Sequence, residues 1–584
     1  MLAIRKIMVA AMPAALLAAI VVSAATGSPR RPRQESVSTS VLMPGVTYTR
    51  EVDFTSRGPI VLDVVTAPKP DGEVYSLAPA LSNNVLTGTE PLTRLDTRIA
   101  GAATSVAIDG DYFDRTTGAP SGLLMQNGVL ESAPAAGRSS LGIGADGSLA
   151  TAHVSFAGIW QGNGQRRPLL LNTPASGKFT LYTPAYGSAT PRESGVVEAV
   201  IGSFPPATLD GPLDGTVTQV ANAGPTPIPP GGAVLVGRGA VSKAELAAEA
   251  PVGQQIEAIL SLSPDWNGFV GAIGGGPQLV RDGKPIFRAS QSSGYPQLNS
   301  RRPRGAVGQL ADGRIVLVGA EGTKAAYSIG MSNYELAVEL SRLGAVTAYA
   351  LGSGSPAGIA FDGSLLTRPS SGTVPKVSDA LVLTYTGVYA PPPSTPVLSP
   401  NGDGVGDSET LSYRLARASQ VVATITGPGG SKITLANAAE QPGVHTFAWN
   451  GSEAGSLAPE GEWTFAVTAT DDRSVTTSAQ RTFSLDDTLS SLSVGLGSRG
   501  LPTASFRLTR PATVLVQVER PTGVPVATLL SRALPAGPEQ LTWSGRSDGR
   551  WASGGRYQVV VQATSSVGTS SLAAPFSFHA HKRH

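Results

Sequence analysis

Between about Ser38 and Tyr389 the chain alternates short apolar runs with turns built from Gly, Pro and Asp. Ile60-Val61-Leu62-Asp63-Val64-Val65 and Ile315-Val316-Leu317-Val318 read as strands of a buried sheet. Asp282-Gly283 and Asp362-Gly363 have the composition of tight hairpin turns, where Gly and Asp tolerate positive φ. Helical signals are few. Ser332-Asn333-Tyr334-Glu335 has the spacing of a capping box, Leu336, Leu340 and Leu343 follow on one face, and Gly344 closes the helix. Ser242-Lys243-Ala244-Glu245 predicts a second, shorter helix opened the same way.

Beyond Tyr389, the segment 390–398 contains Ala390-Pro391-Pro392-Pro393-Ser394-Thr395-Pro396 and reads as a stiff linker. The pattern then repeats. Ser412-Tyr413-Arg414-Leu415 returns as Ser505-Phe506-Arg507-Leu508, and Phe447-Ala448-Trp449-Asn450-Gly451 as Leu541-Thr542-Trp543-Ser544-Gly545. Gly461-Glu462-Trp463 returns as Gly555-Arg556-Tyr557, an offset of 94 residues. A repeat of that length with alternating strands has the size of an Ig-like sandwich. Modules 399–486 and 487–578 resemble the FlgD-type Ig-like domains of secreted bacterial proteins, each expected to bury one Trp between its sheets. The fold class expected is multidomain and β-rich: a mixed α/β domain over 38–389, then two all-β Ig-like sandwiches.

Composition narrows the chemistry. Gly (69) and Pro (46) make about a fifth of the 584 residues, which favours turns and short strands. Net charge is +2, so no global field points to nucleic acid. Cysteine is absent, which removes thiolate nucleophiles, zinc–thiolate sites and disulfides. Three of the five histidines crowd the end of the chain at 579, 581 and 584, which argues against a histidine triad or metal centre. Arg5 and Lys6 precede the uncharged, mostly apolar stretch Ile7–Ala25, ending near small residues. Residues 1–25 therefore read as a signal peptide for a secreted or surface protein, the alternative being an uncleaved anchor. Residues 26–37 read as a disordered basic N-terminus and 579–584 as a basic tail. Asn401, Asp403 and Asp407 on a glycine-rich loop offer oxygens suited to a structural calcium, or simply a polar turn.

Five segments of the large domain stand out in order. They are Val106-Ala107-Ile108-Asp109-Gly110-Asp111-Tyr112-Phe113; Gly271-Ala272-Ile273-Gly274-Gly275-Gly276-Pro277; Arg304-Gly305-Ala306-Val307-Gly308; Ala348-Tyr349-Ala350-Leu351-Gly352-Ser353-Gly354-Ser355; and Ala360-Phe361-Asp362-Gly363. Taken together they resemble the phosphodiester glycosidase family over roughly residues 40–390. The resemblance implies a carbohydrate or sugar-phosphate ligand, a cell-envelope polymer as a possible partner, and no required cofactor. It implies that Asp109 and Asp111 stand at a strand end entering a cleft, where a carboxyl serves acid–base or nucleophilic work. Arg304 is expected to hold phosphate, with Gly274, Gly275 and Gly276 offering N–H groups to the anion and Ser353 a hydroxyl. The chain departs from the family where the chemistry sits. Relatives carry an aspartate at the position of Gly352. Glu321 stands where they have an Asp-Gly-Arg turn, so Glu321 or Asp109 is the candidate replacement acid. Two readings follow: a hydrolase with rearranged acids, or a catalytically silent glycan-binding or structural surface protein.

Overall fold

The computed structural model describes residues 34–175, 177–286, 300–324, 326–353, 357–402, 404, 406–497, 501–547 and 549–579. The expected signal peptide and most of the basic tail lie outside them. Two sheets of the large domain face each other and each carries a helix on its outer side. The larger has eight strands; its centre is Gly58–Ala67, Ile315–Ala320, Arg304–Leu310 and Ala345–Ser353, joined antiparallel. The smaller has Thr104–Asp109 at its middle, between Ile359–Phe361 and Asp379–Tyr385. Val65, Val307, Leu317 and Leu351 from the first sheet meet Val106, Ile108, Ile359 and Leu381 from the second in one core. Strands buried on both faces cannot alternate apolar with polar, and both central segments are continuous apolar runs.

The outer faces explain the helices. Leu336, Ala337 and Leu340 of helix Asn333–Arg342 pack on Ala306, Val318 and Ala348. Its capping box forms as predicted: Ser332 Oγ accepts from Glu335 N at 3.2 Å, and Ser332 N donates to Glu335 Oε2 at 2.9 Å. Leu92 and Leu95 of helix Leu92–Ala100 cover the smaller sheet. That helix has Pro91 at its N-cap and no side-chain cap, so its start carries none of the usual signal. The expected cap at Ser242 is corrected: the helix runs Ala240–Glu249, Gly239 occupies the N-cap, and Ser242 is buried inside it.

A seven-stranded closed barrel, which the sequence pattern does not announce as a separate unit, is built from residues 155–263. Gln255–Ser263 alternates buried and outward residues without a break, as a barrel wall requires. A five-stranded sheet containing Leu124–Gln126, Val129–Ser132 and Phe269–Ile273 lies between the barrel and the main core. The N-terminal strand begins at Gln34 and pairs with Val46–Thr55. Residues 34–37 are therefore part of the sheet, not of a disordered arm.

The repeat is exact in its hydrogen bonds. Trp449 Nε1 donates to Ser452 O and Trp543 Nε1 to Arg546 O, each at 2.9 Å and 94 residues apart. Trp463 Nε1 reaches Pro459 O, and Tyr557 OH reaches Ser553 O. The first module buries two Trp rather than one, Trp449 and Trp463, with centroids 4.6 Å apart. These rings are core. Both modules are all-β, with sandwich-like sheets. The proline segment is not a free spacer. Val397–Leu398 pairs with Ser484 and Leu485, and Ser394 N and Thr395 N donate to Glu409. Arg414 of the first module also pairs with Asp362 of the large domain at 2.8 Å. Among the described residues no helix is long and apolar enough to cross a membrane.

Trp543 is 1% exposed and packs within 5.2 Å of the Tyr557 and Phe578 ring centres. Trp543→Ala is expected to destabilise its module by about 3–5 kcal/mol. Circular dichroism during urea unfolding checks this. An unshifted transition would contradict the packing.

Candidate functional site

The strand Thr104–Asp109 delivers the site. Its apolar residues bury it at the sheet centre, and its end carries Asp109-Gly110-Asp111 into the seam between the sheets. Asp379, which opens the neighbouring strand, completes a group of three acids. Its Oδ1 accepts from Asp111 N at 2.7 Å, and its backbone oxygen accepts from Gly110 N at 3.1 Å. Gly110 is required at this approach: a Cβ there would lie 2.1 Å from Asp379 Oδ1. Asp109 Oδ1 accepts from Gly358 N at 3.1 Å and lies over Gly305, so the missing side chain at 305 makes its room.

Asp111 is paired. Arg138 donates to its Oδ1, and Arg138 Nε also reaches Gly275 O at 3.0 Å. Tyr112 lies beneath the guanidinium, 5.0 Å from ring centre to carbon. Burial pushes the Asp111 carboxyl up, and the Arg138 charge pulls against it. Burial, then the charge of Asp111, pushes Asp379 up to about 8. Burial also raises Asp109 well above the usual carboxylate range, and Asp379 adds to it. Arg138 thus favours the ionised form of Asp111, while Asp379 holds its proton near neutral pH.

The other expected residues are placed differently. Gly274 and Gly122 lie against Asp111 Oδ2, where a Cβ on Gly274 would come within 2.1 Å. Gly276 N donates to Ala350 O, and Gly275 O receives Arg138. This triplet is a close-packing device more than an anion cradle, because one N–H is spent in the sheet. Arg304 is buried, donating to Met331 O and Ser300 O at 3.2 and 3.0 Å, so it braces the loops around it. Burial lowers its pKa. The backbone of Ser353 pairs with Arg304, and its side chain lies outside the described residues.

Glu321 belongs to a second acid pair. Arg50 Nη1 bridges Asp63 Oδ1 at 3.0 Å and Glu321 Oε1 at 3.2 Å, and Arg368 N donates to Glu321 at 2.7 Å. Burial and the Glu321 charge push Asp63 up to about 8. Asp63, Gly319 and Gly305 are side by side in the sheet, so this pair stands about 10 Å from Asp109. Ile359 and Thr367 fill the space over Gly319. Glu321 therefore does not join Asp109 and Asp111.

At Gly352 the backbone itself closes the space. A Cβ there would lie 2.9 Å from Gly110 O and 3.1 Å from Asp111 O. The loop of Asn401 and Asp407 is tied internally: Asp407 accepts from Gly402 N and Gly404 N, each at 2.7 Å. Asp403 lies outside the described residues, among which no three His, Cys, Asp or Glu side chains converge as metal ligands. Sequence reasoning missed Arg138, Tyr112 as its aromatic floor, Asp379 and Asp63. Arg138 sits in a turn, Asp379 at a strand start and Asp63 inside an apolar strand, and only the tertiary fold gives each its partner.

The phosphodiester glycosidase family model matches residues 210–384, from inside the barrel to the strand that Asp379 opens. A curated relative, the SPbeta prophage-derived uncharacterized protein YomE of Bacillus subtilis (strain 168), is 31% identical over 107 residues. That stretch is 18% of this chain and 16% of YomE, so the chain spans about a sixth of the curated relative it matches. A hypothetical protein from Synechocystis has a TM-score of 0.49 at 25% identity, over 60% of this chain and 68% of that one. The catalytic domain of zebrafish N-acetylglucosamine-1-phosphodiester alpha-N-acetylglucosaminidase, auto-inhibited by its pro-peptide, has a TM-score of 0.32 at 13% identity, over 62% and 85%.

Two outcomes follow from the geometry. Gly352→Asp is expected to destabilise by about 1–3 kcal/mol, since the obstacle is backbone; thermal unfolding of the variant reads this. Asp379 takes up a proton on folding between about pH 4 and 8, so the stability it contributes is present at low pH and lost as pH rises to 8. Asp379→Asn keeps the acceptor and cannot ionise. Urea unfolding at pH 5 and pH 8 is expected to show the wild type losing more stability than the variant. Parallel losses would rule out this role.

Proposed function

We propose that residues 38–389 form a phosphodiester glycosidase-like domain, carried out of the cell by the N-terminal segment, that acts on sugar-1-phosphodiesters or envelope glycans. The supporting observation is the Asp111–Arg138 pair beside the proton-bearing Asp379, at the root of the loop that follows Asp111. A cavity of about 1000 Å³ lies across that loop, lined by Pro120, Ser121, Gly137, His153, Phe156 and Tyr186. Rings, hydroxyls and small residues together suit a saccharide's apolar faces and hydroxyl edges.

In the proposed reaction water adds to the anomeric carbon, the bond to the phosphate oxygen breaks, and sugar and phosphomonoester leave. Asp111, whose ionised form Arg138 favours, is the carboxylate that stabilises positive charge at the anomeric carbon. Arg138 balances the phosphate charge as the leaving oxygen develops it. Asp379 fixes the Asp111 main chain and is a positioning residue. The second reading, a silent glycan binder, is favoured by one observation: the Gly110–Asp111 backbone occupies the space beside Gly352, where the resemblance leads one to expect an acid.

Release of N-acetylglucosamine from UDP-N-acetylglucosamine separates the two. Hydrolysis is expected in wild type and to fall at least about 100-fold in Asp111→Asn and in Arg138→Met. No hydrolysis, with calorimetric binding of the same compound that Arg138→Met removes, would establish the binder instead. Neither hydrolysis nor binding would overturn both.

A further inference from the structure

Val129–Ser132 faces two cavities, because successive side chains of a strand point to opposite sides. Ser132 lines the large cavity beside the site loop, and Glu131 lines a separate one on the other side. The second cavity has a volume of about 380 Å³ and forms where the small sheet meets the barrel. Its walls include Phe204, Pro184, Pro205, Pro206 and Pro230. Glu131 is the one ionisable side chain lining it. Its backbone oxygen accepts from Asn172 Nδ2 at 2.9 Å, while no hydrogen bond or ion pair reaches its carboxyl among the described residues.

That combination is unusual in this protein. Glu131 is half-buried, whereas the fully buried acids described above have partners: Asp111 has Arg138, Asp63 has Arg50 and Tyr48, and Asp379 has the Asp111 amide. Burial, with no charge beside it, pushes the Glu131 carboxyl up to about 7. Arg98 on an adjoining element donates to Asn84 Oδ1 on the cavity rim, to Leu81 O and to Glu90. Glu90 takes that charge, so Arg98 does not neutralise Glu131. A cavity of ligand size, lined by proline, phenylalanine and the polar side chains of Gln126 and Thr183, with a single carboxyl, suits one positive charge on a compact body. Proline and phenylalanine faces suit the CH groups around a nitrogen cation, and the ring face adds attraction.

We propose that the Glu131 cavity binds an organic ammonium ligand, with the carboxylate as counter-ion and Phe204 and the prolines as walls. This site is independent of the hydrolase reading, since it opens on the opposite side of the strand and uses none of the same residues.

Choline and its neutral isostere 3,3-dimethyl-1-butanol test it on the full chain by NMR titration, choline having a charge that does not change with pH. Choline is expected to shift the resonances of the cavity and to bind at least about tenfold tighter than the isostere, a difference of about 1.4 kcal/mol. Glu131→Gln, which keeps the shape, is expected to remove that preference; Phe204→Leu is expected to weaken choline without abolishing the preference. In wild type, choline affinity is expected to fall as pH drops below about 7, where Glu131 takes up its proton. Equal binding of both probes, binding unaltered in Glu131→Gln, or no binding of choline in a folded wild type would each overturn the proposal. Sugar-phosphodiester turnover in the same samples reports separately on the other site.

Discussion

The amide of Asp111 donates to a carboxyl of Asp379 that is fully buried, and the position of the whole acid group follows from that bond. A buried carboxyl is costly unless hydrogen-bonded, and Oδ1 of this one is satisfied by holding the main chain that carries the next acid. Gly110 permits the approach, Gly305 gives Asp109 its room, and Gly274 and Gly122 clear space for Asp111. Four positions without side chains therefore set where three carboxyls stand. Arg138 completes the arrangement by pairing with Asp111, its charge opposing the upward push of burial on that carboxyl.

The same constraint bears on Gly352, where the family resemblance leads one to expect an acid. With the 110–111 peptide drawn toward Asp379, its carbonyl oxygens stand against Gly352. A side chain at 352 and the present path of 110–111 exclude each other. Glu321 offers no replacement, because Arg50 and the Arg368 amide hold its carboxyl beside Asp63, two strands from Gly305. The departure at 352 is thus coupled to the backbone rather than being an isolated loss.

Much of the fold is legible in the residues. Apolar runs without alternation mark the doubly covered strands, and the Ser332–Glu335 spacing marks its helix because a cap is a local interaction. The 94-residue repeat is legible in the sequence, and the structure adds the carbonyl that each repeated indole reaches. The positive φ at Asp282-Gly283 and Asp362-Gly363 fits the hairpin reading, since turn chemistry is local too. The barrel is not legible, because closure is a long-range property that alternation in single strands does not express. Asp109 and Asp111 announce themselves by spacing, whereas Arg138 and Asp379 do not. Their partners are 27 and 268 residues away, and nothing in Gly137-Arg138-Ser139 or Ser378-Asp379-Ala380 differs from an ordinary turn or strand start.

The barrel changes how the domain meets a ligand. Without it, the small sheet holding Val129–Ser132 would present one face to solvent. With it, both faces of that strand become cavity walls, one rich in hydroxyls and rings beside the acid group, the other proline-lined around a single carboxyl. A strand buried between two cavities has little freedom to move. Its backbone is pinned further by Leu130 N to Ala207 O at 2.8 Å and by Asn172 Nδ2 to Glu131 O. Ser132 and Glu131 are therefore held at a fixed separation across one sheet thickness. Both cavities share that strand as a wall and are closed by barrel residues, so the barrel is part of the site's architecture.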